Sequence, residues 1–549
     1  MNRDGKMKGF GRKGKWLAVV ACMCLMLGLC ACGSVGTSAA LSEETDTAVG
    51  TDSGSADTSG SSDEVGTLVE ADDSYDESTA TKIIGNGTDI VVEGDGVEVE
   101  DGIIKIQSPG TYILSGTITD GQVKVNSKDE EGRVQLVLAG VDITCSDSSP
   151  IFIKNATEAV ITVAAGTTNT LTDTSAYVFE DETDPEPDAT LFCKEDLAIN
   201  GTGTLIINAN YGQAVKAKDT LVLADVTMQV TAVEDSFNVN DDFVVKSGNY
   251  TVSAGDDAFH SDLALTIEGG TILIEKSEEG LEGATVTING GEITLTANDD
   301  GINAAGDDTS ITHAITINGG TTVVNAGGDG LDTNGGLYLN GGSIVVNGPT
   351  DNANGALDYD TEFIVTGGTA LIAGSSGMAQ TASDSSTQNV LMVVFGQEQQ
   401  AGTIFSVQDE NGNVILEGAP EKNYSSVLIT STELQTDSTY TILADKTELT
   451  SVTLTSTVTT ISDSGETVTL SEFGMGGQGG GPGGMGDQNG GTGGKDGDRT
   501  GTMPDGETME APDGERPELP EGETMEATDR ERPELPEGET MQAPDGERP

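Results

Sequence analysis

The sequence predicts an all-β protein built around a single-stranded parallel β-helix, a solenoid whose rungs are about 22 residues long. Three observations carry that prediction. Short β-rich triplets begin at Leu221, Phe243, Leu265, Val286, Ile315, Leu337 and Phe363, at intervals of 22, 22, 21, 29, 22 and 26 residues. Most are followed by a glycine pair, as at Gly269-Gly270, Gly290-Gly291 and Gly341-Gly342, and then by a second short strand such as Ile272-Leu273-Ile274. A turn with one apolar residue closes each repeat, at Phe237, Phe259, Leu281, Ile302, Leu331, Leu357 and Met378. Three short strands and three turns in so short a repeat stack naturally as rungs, with strands about 4.8 Å apart. An antiparallel sandwich would instead use hairpins spaced by about 8–12 residues, without this register.

Composition agrees. Of 549 residues 75 are glycine and only 4% are aromatic, which suits a chain of many tight turns. The 92 acidic residues against 25 basic ones give a net charge of −67. That balance excludes a nucleic-acid binder, because affinity for phosphate needs clustered Lys and Arg. It also disfavours electrostatic docking on an anionic membrane.

Taken from the N-terminus, residues 1–31 read as a lipoprotein signal peptide. Six basic residues from Arg3 to Lys15 precede an apolar run, Leu17 to Leu29, of 13 residues. A run of that length is too short for a membrane span, which takes about 20 residues. Leu29-Cys30-Ala31-Cys32-Gly33 resembles a lipobox, with Cys32 the lipidated residue and the membrane met only through that lipid. The expected location is therefore the outer face of a bacterial cell membrane. Cleavage would leave 19 basic and 91 acidic residues, a net of −72, and would remove the single tryptophan, Trp16. Only Cys145 and Cys193 would then remain as thiols, either paired or both free.

Residues 32–80, rich in Ser, Thr, Gly, Asp and Glu, form a disordered tether. The β-helix is expected over 81–389, with less regular spacing up to residue 220 and insertions near 304–312 and 347–353. A surface loop is expected at 181–189. Longer alternating strands over 390–470 form a C-terminal β cap that protects the open end from edge pairing. Residues 471–549 form a disordered tail, Gly-rich and then acidic, in which Glu515 to Met525 recurs as Glu531 to Met541.

The motifs Gly110-Thr111-Tyr112-Ile113-Leu114-Ser115-Gly116, Gln135-Leu136-Val137-Leu138, Asn169-Thr170-Leu171-Thr172-Asp173 and Lys194-Glu195-Asp196-Leu197 precede Asn200-Gly201-Thr202-Gly203-Thr204-Leu205. With the Asp-Gly-Leu turns, this series resembles a family of clostridial carbohydrate-binding surface proteins. The resemblance covers roughly residues 80–470. It implies a right-handed parallel β-helix similar to pectate lyases, binding to cellulose-like glycan and polygalacturonate, and bound calcium.

The third turn of each rung carries the chemistry. Its first position holds Asp235, Asp257, Glu279, Asp300 and Asp329 in consecutive rungs. The position after the apolar residue holds Asn238, His260, Glu282, Asn303, Asp332 and Asp358. Stacked carboxylates repel one another and raise each other's pKa. A divalent cation between rungs removes that cost, and Ca2+, which takes six to eight oxygens, suits such donors. Zinc does not, since the only histidines are His260 and His313 and no cysteine spacing accompanies them. The competing reading is that Asp-Gly and Asn-Gly simply make good turns. The metal candidates are thus Asp235, Asn238, Asp257, Glu279, Glu282, Asp300, Asn303, Asp329, Asp332 and Asp358, with His260 an ordinary member of its stack.

Three functions fit this chain. In the first it binds extended polysaccharide without cutting it, calcium bridging protein carboxylates to uronates. Tyr211, Tyr250, Tyr338 and Tyr359 are then the candidate stacking platforms, or ordinary packing residues. In the second it is a calcium-dependent pectate lyase, for which Lys216 is the lysine nearest the ladder and Arg133 the one arginine of the folded part. In the third it is a structural adhesin or envelope protein. The absence of any clustered, desolvated basic pocket in the pattern favours non-catalytic binding over an enzyme.

Overall fold

A computed structural model of the chain describes residues 71–470, apart from 129–131, 180–182, 184 and 307–309. The signal peptide, Cys32, most of the tether and the whole tail lie outside the described residues. Strands pair in parallel with their equivalents in the next rung, in three rows that run the length of the repeat.

In the first row Leu221 faces Phe243, which faces Leu265, and the series continues through Val286, Ile315, Leu337 and Phe363. In the second, Met228, Tyr250, Ile272, Ile293, Thr322 and Ile344 follow one another. In the third, Val215, Phe237, Phe259, Leu281, Ile302 and Leu331 do so. The spacing of the triplets is thus the pairing register, and the longer intervals fall between Ile302–Ala304 and Ala314–Ile317 and after Ser343–Asn347. The rows extend upstream to Thr81–Gly87, which pairs in parallel with Gly110–Ile118.

Most strands alternate, and the inward members of the rows fill one continuous core. Phe237, Phe243 and Phe259 are fully buried there, with ring centroids 4.9 Å apart for Phe237 and Phe259 and 5.6 Å for Phe243 and Phe259. The glycine pairs supply the bend between the first and second rows. At Gly342 φ is +76° and a Cβ would lie 2.7 Å from the backbone of Gly319, so conformation and space both demand glycine.

Three expectations change on contact with the fold. Tyr250 takes the inward position that Ile272 takes one rung later. It is 2% exposed, packs edge-on against Phe259 at 6.3 Å, and donates its hydroxyl hydrogen bond to the Ser247 carbonyl, so it offers no face to a sugar. Met378 is 38% exposed rather than inward. The third row ends at Asp358–Tyr359, where the Gln380 side chain takes over by accepting from Tyr359 N and donating to Asp358 Oδ1. Finally, the last part of the tether is laid on the solenoid. Ala71 packs on the outward row Val160, Ala198, Val222 and Val244, and Arg133 donates to the Asp72 carbonyl. Apolar outward residues in the first row give that segment something to bury.

At the far end the direction of pairing changes. Thr369–Gly374, last of the second row, pairs antiparallel with Tyr424–Thr430, which pairs antiparallel with Val390–Gln399. A separate antiparallel sheet of Val414–Gly418, Phe405–Gln408, Thr439–Ala444 and Thr447–Thr453 closes over a second core that includes Phe395, Phe405, Tyr424 and Ile442. Cys145 and Cys193 are both free and buried, and burial raises both thiol pKa values, Cys145 to about 11.

Candidate metal centre on the third row

The acidic turns lie just before the third-row strands. Their glycines are there for space: a Cβ on Gly301 would lie 2.3 Å from the Val324 side chain and 2.6 Å from the Gly330 carbonyl. Neither Gly301 nor Gly330 has the positive φ that an Asp-Gly turn would exploit. Close stacking of rungs, rather than turn conformation, therefore accounts for these residues. It brings the carboxylates on either side of each glycine into register.

The first-position carboxylates have a structural task that sequence reasoning did not reveal. Asp235 Oδ1 accepts from Asp257 N at 3.1 Å, Asp300 Oδ1 from Asp329 N at 2.6 Å, and Asp329 Oδ1 from Gly355 N at 2.5 Å. Each ties its own rung to the next through one oxygen, and the other oxygen remains for side-chain partners. For Asp235 that partner is Asn238 Nδ2 at 2.6 Å.

Two clusters of different character follow. In the upstream one His260 Nδ1 lies 3.1 Å from Asp257 Oδ2 and 2.6 Å from Glu282 Oε2, and Nε2 lies 3.0 Å from Asp262 Oδ1. Burial alone would lower the His260 pKa, but the hydrogen bonds to these three carboxylates push it up to about 11. The ring is an imidazolium at neutral pH and serves as the cation of its rungs. Glu282, although half-buried, is held below its usual range by that partner. His260 is therefore more than the ordinary stack member that the sequence suggested.

In the downstream cluster Asp300, Asp329 and Asp332 bring one oxygen each within 4.8 Å of one another. Burial, reinforced by neighbouring carboxylates, pushes Asp300 up to about 6, Asp329 to about 7 and Asp332 to about 8. Asp358, the next residue in register after Asp332, is raised for the same reasons. Asn303 stands between Glu282 and Asp332 in the row, and its Oδ1 is buried with no hydrogen-bond partner among the described residues. Carboxylates raised by burial and by one another's charge, beside an amide oxygen lacking a donor, make an all-oxygen set that fits a hard divalent cation such as Ca2+. Asp235, Asp256 and Asp257 form a further acidic group, and Glu279 is raised by burial and by Asp257.

The family described as carbohydrate-binding domain-containing protein matches residues 100–264 and 260–468, well over half of the chain. The chain belongs to this carbohydrate-binding family. A relative of the same description from Acetivibrio thermocellus is 40% identical over 138 residues, which are 25% of this chain and 48% of the relative. The chain thus spans about half the length of the curated relative it matches. A solved structure described as a polysaccharide lyase-like protein from C. thermocellum, a gadolinium derivative, is 27% identical. It covers 53% of this chain and 93% of its own, with a TM-score of 0.32.

In this member of the family the remaining candidate tyrosines do not form one platform. Tyr211 is half-buried and stacks on Tyr177 at 4.3 Å, with Phe179 edge-on at 6.0 Å. Tyr338 faces outward in the first row, its hydroxyl 3.2 Å from Glu362 Oε1. Tyr359 is anchored by a 2.6 Å hydrogen bond to the Thr381 carbonyl. The Tyr177–Tyr211 pair escaped the sequence reading because Tyr177 sits in an irregular crossover, outside any repeat. Of the two bases considered for a lyase, Lys216 is 14% exposed at its side chain and ion-paired to Asp188 at 3.1 Å. Arg133 is held between Asp72 and Glu158, each at 3.9 Å.

Proposed function

We propose that this protein is a lipid-anchored bacterial surface protein that binds an extended polysaccharide, polygalacturonate or a cellulose-like glycan, without cutting it. Ca2+ is held mainly by Asp300, Asp329 and Asp332, with Asn303 Oδ1 and Asp358 at its margin. The observation that carries this reading is the downstream acidic cluster: three half-buried, mutually repelling carboxylates in a member of a carbohydrate-binding family. A calcium ion there would relieve the repulsion and offer remaining coordination positions to a uronate carboxylate. In this reading residues 1–31 are the signal, Cys32 carries the lipid, 32–70 are the spacer, 81–389 wind as a right-handed solenoid, and 390–470 cap it. The ion-paired state of Lys216 and Arg133 supports binding rather than lyase chemistry, which needs an unengaged base beside the metal.

Affinity electrophoresis through polygalacturonate and soluble glucan gels, with calcium and with chelator, tests the proposal. The same samples are followed for the ultraviolet absorbance of unsaturated uronate. Calcium-dependent retardation with flat absorbance is expected. Rising absorbance would replace binding by lyase activity, and retardation on no glycan would leave a structural envelope protein.

A further inference from the structure

The outward residues of the third row change character along the solenoid. Pairing places Lys105 beside Lys124, then Phe152, Phe192 and Lys216, before the row turns acidic as described above. A second file runs next to it. Ile153, Cys193 and Ala217 are in register, so the residues that follow them, Lys154, Lys194 and Lys218, repeat at the same place in three consecutive rungs. Backbone bonds confirm the stacking: Lys194 N donates to the Ile153 carbonyl at 3.0 Å and Lys218 N to the Cys193 carbonyl at 2.9 Å. In a chain of net charge −67 these lysines gather on neighbouring rungs of one face, with Glu195, Asp196 and Asp219 beside them in the sequence.

Carboxylates from the chain itself already occupy part of it. Glu186 bridges Lys194 and Lys218, the latter at 2.8 Å, and Asp188 meets Lys216 at 3.1 Å. Both acids come from the short stretch just before Ala189–Cys193. Standing two residues apart, they set two carboxylates against the three lysines. The fit is imperfect on the acid side. Asp188 Oδ1 is buried and has no hydrogen-bond partner among the described residues. An occupant that leaves a buried carboxylate oxygen unsatisfied is one that a better acid can displace.

We propose that Lys194, Lys216 and Lys218 form a metal-independent site for a carboxylate-bearing glycan, and that Glu186 and Asp188 are its built-in competitors. The site lies on the same row as the acidic cluster but several rungs upstream. One extended uronate chain therefore meets lysines at one end and a calcium-bridged contact at the other. The inference rests on the reading of the protein as a glycan binder and adds to it where the acid groups are recognised and what holds recognition in check.

The test measures the dissociation constant of the full chain for polygalacturonate at low salt in chelator, and in parallel with calcium. In chelator, Glu186→Gln with Asp188→Asn is expected to tighten binding about tenfold, the scale of one charge-assisted contact released per lysine pair. A misfolded variant would not gain affinity. Adding Lys194→Ala and Lys218→Ala to the double variant is expected to abolish the gain. No gain in chelator, a gain that survives loss of the lysines, or an equal gain on a neutral glucan would each overturn the inference. If wild type still binds with calcium in those cases, only this inference falls. If no variant binds any glycan under either condition, the proposed function falls with it.

Discussion

His260 Nδ1 lies 2.6 Å from Glu282 Oε2, across the gap between two consecutive rungs. The third row thereby solves one electrostatic problem in two ways. Upstream, an imidazolium is supplied by the sequence and sits among Asp257, Glu282 and Asp262. Downstream, Asn303 and Asp332 succeed Glu282 in the row, and the charges bearing on Asp300, Asp329 and Asp332 are those of other carboxylates. Beyond His260 the row offers no side-chain cation among the described residues.

Replacing His260 by Gln removes the cation and leaves Asp257 and Glu282 facing each other. Breaking a half-buried ion pair of this kind costs about 2 kcal/mol, less than the full penalty for a dry site. Because the folded pKa is raised to about 11, the stabilisation is complete below the unfolded value of about 6.5 and is lost as pH rises through the folded one. The melting temperature of His260→Gln should fall several degrees below wild type at pH 6, and the gap should close towards pH 11. Thermal melts at three pH values check this; a gap independent of pH would assign the residue a packing role only.

The downstream cluster gives the opposite dependence. Asp300, Asp329 and Asp332 bind protons more tightly when folded, at about 6, 7 and 8, than unfolded carboxylates near 3.9 do. Protonation therefore favours the folded state, and in chelator stability should fall as pH rises from about 4 to 8. Calcium at saturating concentration should remove most of that decline, since it replaces protons as the neutralising charge. Melting curves at pH 5.5 and 8 with calcium and with chelator read the effect directly. Coincident curves in both media would remove the metal from the proposal.

Asp332→Asn separates a ligand from a merely crowded carboxylate by the sign of two effects. In chelator at pH 8 the variant should melt higher than wild type, because one of three repelling half-buried charges is gone. In calcium it should gain far less than wild type does, because a charged ligand is gone too. A variant that keeps the whole calcium-induced rise would place the ion elsewhere, with the Asp235, Asp256 and Asp257 group the next to be mutated.

The register of the solenoid was legible because each rung repeats two independent marks, the glycine pair and the apolar turn residue. Their order survives the insertions after Ala304 and Asn347, although the intervals there lengthen to 29 and 26 residues. The inward position of Tyr250 was legible too, from its alignment with Ile272, but an aromatic residue in a carbohydrate context invites an outward reading. Other features depended on neighbours one rung away. Whether His260 is a cation depends on where Glu282 and Asp262 point, and no spacing encodes that. The lysine files of residues 105–218 were hidden because rungs upstream of residue 220 vary in length, so equivalent positions do not recur at a constant interval. The clamping of Ala71 and Asp72 onto the first row lay beyond composition as well, since a Ser- and Asp-rich stretch reads as tether whether or not its last residues find an apolar strip.

A ladder of amides offers a last prediction. Asn318 Nδ2 donates to Asn289 Oδ1 at 2.8 Å, Asn340 Nδ2 donates to Asn318 Oδ1 at 2.9 Å, and Asn289 Nδ2 ends the run on Glu268 Oε1 at 3.0 Å. These side chains are exposed, so water replaces any bond that is lost and each is worth only about 0.5–1 kcal/mol. Asn318→Ala breaks two of them and should cost about 1–2 kcal/mol. In a solenoid each rung contacts only its neighbours, so the loss should appear as local opening before global unfolding. Hydrogen exchange should speed up at the amides of Asn318 and Asn340, which bond to the Ile288 and Ile317 carbonyls, while Val245 and its row mates three rungs upstream keep their protection. Asn318→Asp is the sharper variant: it keeps the acceptor for Asn340 but sets a carboxylate against Asn289 Oδ1, where no donor remains. It should open the same rungs faster than alanine does at pH 7 and lose that excess as the new carboxyl protonates below pH 4. Equal exchange in both variants at neutral pH would mean that the amide ladder is an accident of stacking rather than a support for it.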